Sequence, residues 1–132
     1  MSEDRVEIAR RALEYFNRGE RDALAGLSSP NIEIVPLRAA LEGTVFRGDT
    51  ANADFWTAID ETWEEIHMDA EEILESGGRV AILGHLRGRA KGTDVEVESP
   101  TGWVLTFDGD KVASMRTYSS VADARKAAGL GD

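Results

Sequence analysis

Two places in this chain carry residue types able to move a proton. Glu33 stands between Ile32 and Ile34 in a short strand-like run that Pro36 closes. A carboxylate turned into an apolar cavity there would be desolvated, which raises its pKa toward neutrality and suits it to general acid or base work. His85 shares strand parity with Arg87, Arg89 and Lys91. Imidazole titrates near neutral pH, and a cationic line beside it would hold a substrate carboxylate or enolate. Each candidate has a plainer alternative. By composition Ile32 and Ile34 are the inward pair, which leaves Glu33 in solvent or on an arginine. Arg87 and Arg89 have carboxylates to meet across a hairpin, which places His85 on an outer surface.

The elements that would position these residues centre on the stretch 79–119. A hairpin closing at Gly92-Thr93 sets Lys91 against Asp94, Arg89 against Glu96 and Arg87 against Glu98, three opposite-charge pairs on one face. The other face carries Val80, Ile82 and Leu86 with Val95 and Val97, so one side of the ribbon is ionic and the other needs covering. In the next strand Trp103, Leu105 and Phe107 alternate with Val104 and Thr106, and the turn at Asp108-Gly109-Asp110 brings Ala113, Met115, Thr117 and Ser119 to the aromatic face. Phe16 and Trp56 reach it from helices. With Val35, Ile82, Val97, Trp103, Leu105, Met115 and Thr117 they make a wall suited to an apolar or aromatic metabolite, or simply a core. Val104, Arg116 and Tyr118 fall on the opposite face, with the residue types that contact a second subunit.

Upstream, Ser2 can cap a helix in which Val6, Ala9, Leu13 and Phe16 recur up to Asn17-Arg18-Gly19. A short helix is predicted over Arg21 to Leu27, a strand over Ile32 to Val35, loop over Leu37 to Thr50 with Thr44-Val45-Phe46 extended, and a helix over Ala51 to Glu64 with Trp56, Ile59 and Trp63 on one stripe. Ile66 to Ser76 then turns at Gly77-Gly78 into the central ribbon, and Ser120 with Asp123 opens a last helix to Ala128. Helices first and a long meander after them predict an α+β fold, with helices on one face of a curved sheet, in a single domain spanning 1–132.

Composition narrows the partners. Fifteen lysines and arginines stand against 25 aspartates and glutamates, a net charge of −10 that repels phosphate backbones and anionic membranes. No apolar run approaches the ~18 residues that span a bilayer. The start, Met1-Ser2-Glu3-Asp4, lacks the apolar core of a signal peptide, so a cytoplasmic protein is expected. There is no cysteine, which removes thiol chemistry, and the two histidines, His67 and His85, have no metal-ligand spacing around them. Neither a metal nor a cofactor is expected.

Helix, Asn17-Arg18-Gly19, short helix, Ser29-Pro30-Asn31-Ile32-Glu33, then Phe46-Arg47-Gly48 before a helix, and Phe107-Asp108-Gly109-Asp110-Lys111-Val112 near the end together resemble the nuclear transport factor 2-like (NTF2-like) superfamily. Within it the chain is most similar to the SnoaL-like polyketide cyclase group. That resemblance implies a cone, a strongly bent, mostly antiparallel sheet wrapped around N-terminal helices with a short C-terminal helix, usually paired as a homodimer through the sheet. It also implies where pocket acids and bases would stand. A steroid-isomerase-like member has a tyrosine where this chain has Ala12 and a base at Val35. The acid of isomerase-like and cyclase-like members falls at Trp103. An arginine and aspartate pair of the epoxide-hydrolase type would fall near His85-Leu86-Arg87, which supplies the arginine alone. Those substitutions favour a small-molecule-binding protein over a cofactor-independent cyclase, isomerase or dehydratase using Glu33 or His85; a protein-interaction module is the third reading.

Overall fold

A computed structural model describes residues 4–36 and 45–130. The expected N-cap at Ser2 and the extended Thr44 lie outside them. Helix α1 (Arg5–Arg18) is capped instead by Asp4, whose carboxylate accepts from the Val6 N–H at 2.9 Å, and it ends at Gly19 in the left-handed region (φ 68°). Helix α2 (Arg21–Gly26) leads into β1 (Ser28–Val35), then β2 (Phe46–Arg47), a 3₁₀ turn (Gly48–Thr50) and α3 (Ala51–Thr62). The meander follows as β3 (Trp63–Ser76), β4 (Arg79–Ala90), β5 (Glu96–Asp108) and β6 (Lys111–Tyr118), and α4 (Val121–Ala127) closes the described chain. The six strands form one sheet in the order β2-β1-β6-β5-β4-β3, antiparallel except where β1 runs parallel to β6.

The register of the central ribbon is the one its charges predict. Arg89 lies opposite Glu96, Arg87 opposite Glu98 and Gly88 opposite Val97, while Ile82 meets Trp103 further down. Even positions of β4 and odd positions of β5 therefore look inward, where Val80, Ile82, Trp103 and Leu105 are all at most 5% exposed beneath α1 and α3. Leu105 meets Met115 and Trp103 meets Thr117, as expected, but the β5–β6 register shifts after Thr106, so Phe107 pairs with Val112 rather than Ala113. The extra residue is a bulge, and it turns Val112 into the core.

Three expectations are corrected. Trp63 begins β3 instead of continuing the α3 stripe, because α3 stops at Thr62; its ring covers Gly88, where a side chain would clash with it. Strand β1 starts at Ser28, four residues before Ile32. The helices do not all share one face: α4 sits on the other side, packing Ala124 and Ala128 on Ala81, Leu83 and Val104. Gly102 lets it approach, since a Cβ there would overlap Ala124. Val104, expected to contact a second chain, is consequently only 5% exposed within its own.

Polar contacts also fasten α1 to the sheet. The Asn17 amide accepts from the Met68 N–H and donates to the Met68 C=O, both at 2.9 Å, and so stands in for a neighbouring strand on the free edge of β3. Arg5 donates to the carbonyls of Gly78 (3.2 Å) and Gly109 (3.4 Å) with its guanidinium 5.3 Å from the Phe107 ring centroid, pinning two hairpin turns to the start of α1. At the β3 bulge between Ala70 and Glu72, strand β4 comes so close that a Cβ on Gly84 would overlap the Asp69 carbonyl oxygen. Backbone cannot swing aside as a side-chain tip can, so Gly84→Ala is expected to lower unfolding free energy by at least about 2 kcal/mol in urea titrations, an overpacking cost.

Candidate functional site

Between α1, α2, α3 and the inner face of the sheet lies a cavity of about 40 Å³. Its sheet wall is Ile32, Ile34, Ile82, Trp103, Leu105, Val112 and Met115; Ala12 and Phe16 close it from α1, Leu24 and Leu27 from α2 and its end, Phe55 from α3. Phe16 is the hub of the aromatic packing. It meets Trp103 edge-on (4.9 Å between centroids, 83°) and stacks on Trp56 (5.4 Å, 29°), with Phe55 6.3 Å away. Apart from the Trp103 indole N–H, the hydrogen-bonding side chains of the lining are Ser28 and Asn52; the Asn52 amide donates to Ser28 Oγ at 3.1 Å, and Ser28 donates to the Leu24 carbonyl at 3.5 Å. No residue with an ionisable side chain lines the cavity among those described.

The cover on one side is loosely built. Helix α2 has six residues, none of them buried, and no side-chain N-cap. Besides the half-buried Leu24 and Leu27, it is held by polar contacts: Arg21 grips Asp60 through two hydrogen bonds (2.9 and 2.6 Å) with its guanidinium 4.6 Å from the Trp56 ring centroid, and Lys111 donates to the Gly26 carbonyl at 2.6 Å. The hydrogen-bonded Arg21 keeps the Asp60 carboxyl below its usual range.

Of the expected wall, Phe16, Ile82, Trp103, Leu105 and Met115 line the cavity. The others do not. Trp56 is buried one layer back, behind Phe16 and Phe55. Thr117 faces inward opposite Trp103 but lies beyond the cavity. Val97 has the inward parity and is still 41% exposed, because the β4–β5 hairpin projects past the helices. Val35 lies opposite Arg116 while Ile34 lies opposite Met115, so alternation turns Val35 outward.

The two proton-transfer candidates are also outside. Glu33 alternates with the buried Ile32 and Ile34 and pairs with Arg47 (2.9 Å) on the outer surface. His85 is on the outer face of β4, its Nδ1 2.7 Å from Glu71 Oε1. It belongs to an ionic strip in which Arg87 is held by Asp69, Arg89 by Glu65 (3.3 Å), and His67 approaches Asp69 (3.2 Å). The arginines thus bond to carboxylates on β3, although Glu96 and Glu98 stand opposite them on β5. An open groove of about 560 Å³ runs beside the strip, between Arg87, Arg89, Glu65, Glu96 and Glu98. It is larger than the cavity, but it is open and lined by five charged side chains, so it offers little to an apolar molecule.

The bent sheet, the helices inside it and the apolar hollow define an NTF2-like protein. A family model for the SnoaL-like domain matches residues 9–115, and the chain belongs to that family. Solved structures agree on the fold. An NTF2-like protein from Burkholderia pseudomallei K96243 superposes with a TM-score of 0.79 at 16% identity, covering 94% of this chain and 96% of that one. Another from Burkholderia xenovorans LB400 gives 0.71 at 23% identity over 97% and 98%. A protein of ketosteroid isomerase-like fold from Catenulispora acidiphila, solved in complex with trimethylamine, gives 0.75 at 20% identity over 94% and 93%. No curated protein matches the sequence.

Ala12 and Trp103, at positions where the resemblance puts an acid or base in other members, do line the cavity, and neither can exchange a proton. Sequence reasoning missed Ser28 and Asn52, polar residues with no pattern around them, and also Leu24, Leu27 and Val112. The spacing of Leu24 and Leu27 was the available signal for α2.

The outer strip has its own pH signature. The Arg87 hydrogen bond, with a smaller contribution from nearby His67 and His85, holds the Asp69 carboxyl below its ordinary value of 3.8. A lowered carboxylate pKa stabilises the fold above that ordinary value, and the gain is lost as pH falls through the folded pKa. Asp69→Asn should therefore flatten the acid limb of stability below about pH 4, read as the urea midpoint against pH. An unchanged limb would mean that the Arg87 pair contributes nothing in solution.

Proposed function

We propose that this chain binds a small, largely apolar molecule in the cavity between its N-terminal helices and the inner face of the sheet, and that Glu33 and His85 take no part in chemistry there. The observation that carries this reading is the lining: Phe16, Phe55, Trp103 and the aliphatic side chains around them, with one polar pair and no ionisable group. Acid–base catalysis needs a titratable group within hydrogen-bond reach of the reacting atom, and neither candidate reaches the hollow.

Its volume of about 40 Å³ is far below the ~300 Å³ at which drug-sized pockets begin, and below the ~150 Å³ apolar cavity that accepts benzene. The ligand is therefore very small, or the wall moves. Movement has a physical basis in Met115, a flexible unbranched side chain, and in the weakly packed α2. The trimethylamine held by the Catenulispora protein is a ligand on the smaller of these scales.

Toluene is a suitable probe, followed through the NMR signal of the Trp103 indole. Wild type should show a saturable shift, Met115→Ala should bind toluene more tightly by removing part of the wall, and Ala12→Leu should abolish the shift by filling the space. No saturable shift in wild type or in Met115→Ala would make the hollow a packing remnant and favour an interaction module. Glu33→Gln and His85→Ala should leave toluene affinity unchanged within about twofold, since surface substitutions of this kind rarely reach beyond their neighbours.

We also propose self-association through the outer face. The exposed Arg116 stacks on Tyr118 (5.4 Å to the ring centroid) and offers a cation–aromatic contact to a second copy, with Val104 no longer part of that surface. Sedimentation of a monomer at micromolar concentration would overturn it.

A further inference from the structure

We infer that the cavity's ligand is neutral and carries one hydroxyl or carbonyl oxygen on an otherwise apolar body, and that Asn52 is the residue that reads this group. The inference rests on the cavity being the binding site, as proposed above, and adds what the site selects. Apart from the indole N–H of Trp103, Asn52 and Ser28 are the lining residues whose side chains carry hydrogen-bonding nitrogen or oxygen, and Asn52 has the one side chain among them with both a donor and a carbonyl acceptor. The hydroxyl of Ser28 has its one donor in use, toward the Leu24 carbonyl (3.5 Å), and accepts from Asn52 Nδ2 (3.1 Å).

The Asn52 amide spends one N–H on that bond. A primary amide has two N–H donors and a carbonyl oxygen, so one donor and the acceptor remain without a partner in the described structure. Asn52 follows Ala51 in the first turn of α3, and the bond to Ser28 on β1 restrains its amide at the cavity wall, which lowers the cost of ordering it around a ligand. A hydroxyl or carbonyl oxygen would satisfy the unused groups.

The remaining wall sets the other half of the selectivity. With no lysine, arginine or histidine lining the cavity, a carboxylate would enter without a counter-charge and be strongly disfavoured. An oxygen-free hydrocarbon would fit the aromatic and aliphatic wall but give the half-buried amide of Asn52 no partner on the cavity side. A hydroxyl placed away from Asn52 would lose its water without replacement, which separates a chance apolar hole from a site built to hold oxygen.

Toluene, phenol and benzoate share a ring and differ at one substituent, so they isolate this selectivity. Binding is read from the Trp103 indole NMR signal in the full chain, in wild type and in Met115→Ala, where ring size is less limiting. Phenol should bind at least as tightly as toluene despite the larger cost of dehydrating its hydroxyl, and benzoate at least about a hundredfold more weakly than phenol. In Asn52→Leu, phenol should lose at least about tenfold while toluene binds as well or better. Because that variant also removes the bond to Ser28, the probe ranking in unmodified Asn52 chains tests the inference by itself. Toluene binding tenfold tighter than phenol there, or a toluene-to-phenol ratio unmoved by a folded Asn52→Leu, would overturn the assignment of Asn52 and leave the cavity reading standing. A cavity that takes neither neutral probe would overturn both.

Discussion

Arg87 opposite Glu98 and Ile82 opposite Trp103 are two statements of one constraint, the register between β4 and β5. Side chains alternate with a period of two, so a slip by one residue would carry Trp103 and Leu105 to the outside and bring Thr106 and Val104 to the helices. The outer ionic pairs and the inner apolar stripe penalise that slip together. At one end of the ribbon the charges fix the register, and at the other the buried Val80, Ile82, Trp103 and Leu105 do. From it follow the position of the hollow, the outward turn of His85 and the apolar patch of Ala81, Leu83 and Val104 that α4 covers. Register shifts at Trp63/Glu65, Ala70/Glu72, Thr106/Phe107 and, between β1 and β6, Ser28/Glu33 are local departures. The one at Thr106/Phe107 turns Val112 into the core.

Partner choice on the outer face shows what register leaves undecided. Arg87 has carboxylates on both neighbouring strands, and it bonds to Asp69 on β3. Opposition in a ladder brings side chains within reach without dictating which pair closes, and exposed pairs of this kind differ little in energy. The sequence specified that arginines would be flanked by carboxylates. Which carboxylate closes on each arginine depends on rotamers and on the twist of β3.

This also marks where sequence reasoning succeeds. Strand order within the meander, the inward stripe and the caps at Gly19 and Ser120 were legible because each depends on neighbours a few residues away or on alternation along a strand. Val97 misled because parity tells which face a residue occupies and says nothing of where the helices covering that face end. The face taken by α4 was hidden in a glycine, Gly102, whose missing Cβ has meaning only once Ala124 is known to lie above it. Glu33 illustrates a competition: composition placed Ile32 and Ile34 inward and the resemblance drew Val35 inward, and burial of two isoleucines outweighed it. Ser28 and Asn52 come together from positions 24 residues apart through folding alone.

The same packing explains why the interior is poorly suited to acid–base work. A carboxylic acid acting as a donor needs an apolar site with room left for a substrate against it. At position 103 that room is taken by an indole locked edge-to-face with Phe16, which in turn stacks on Trp56, so the aromatic rings occupy the centre of the cone. Each such pair adds about 0.5–1.5 kcal/mol to the burial of the rings themselves, and together they hold the inner wall rigid where a substrate would need space. On the side of Met115 and α2 no residue of the helix is fully buried, and polar contacts supplement the half-buried leucines. Arg21 and Lys111 are the polar fastenings on that side of the hollow, and Asn52 contributes its amide to the lining.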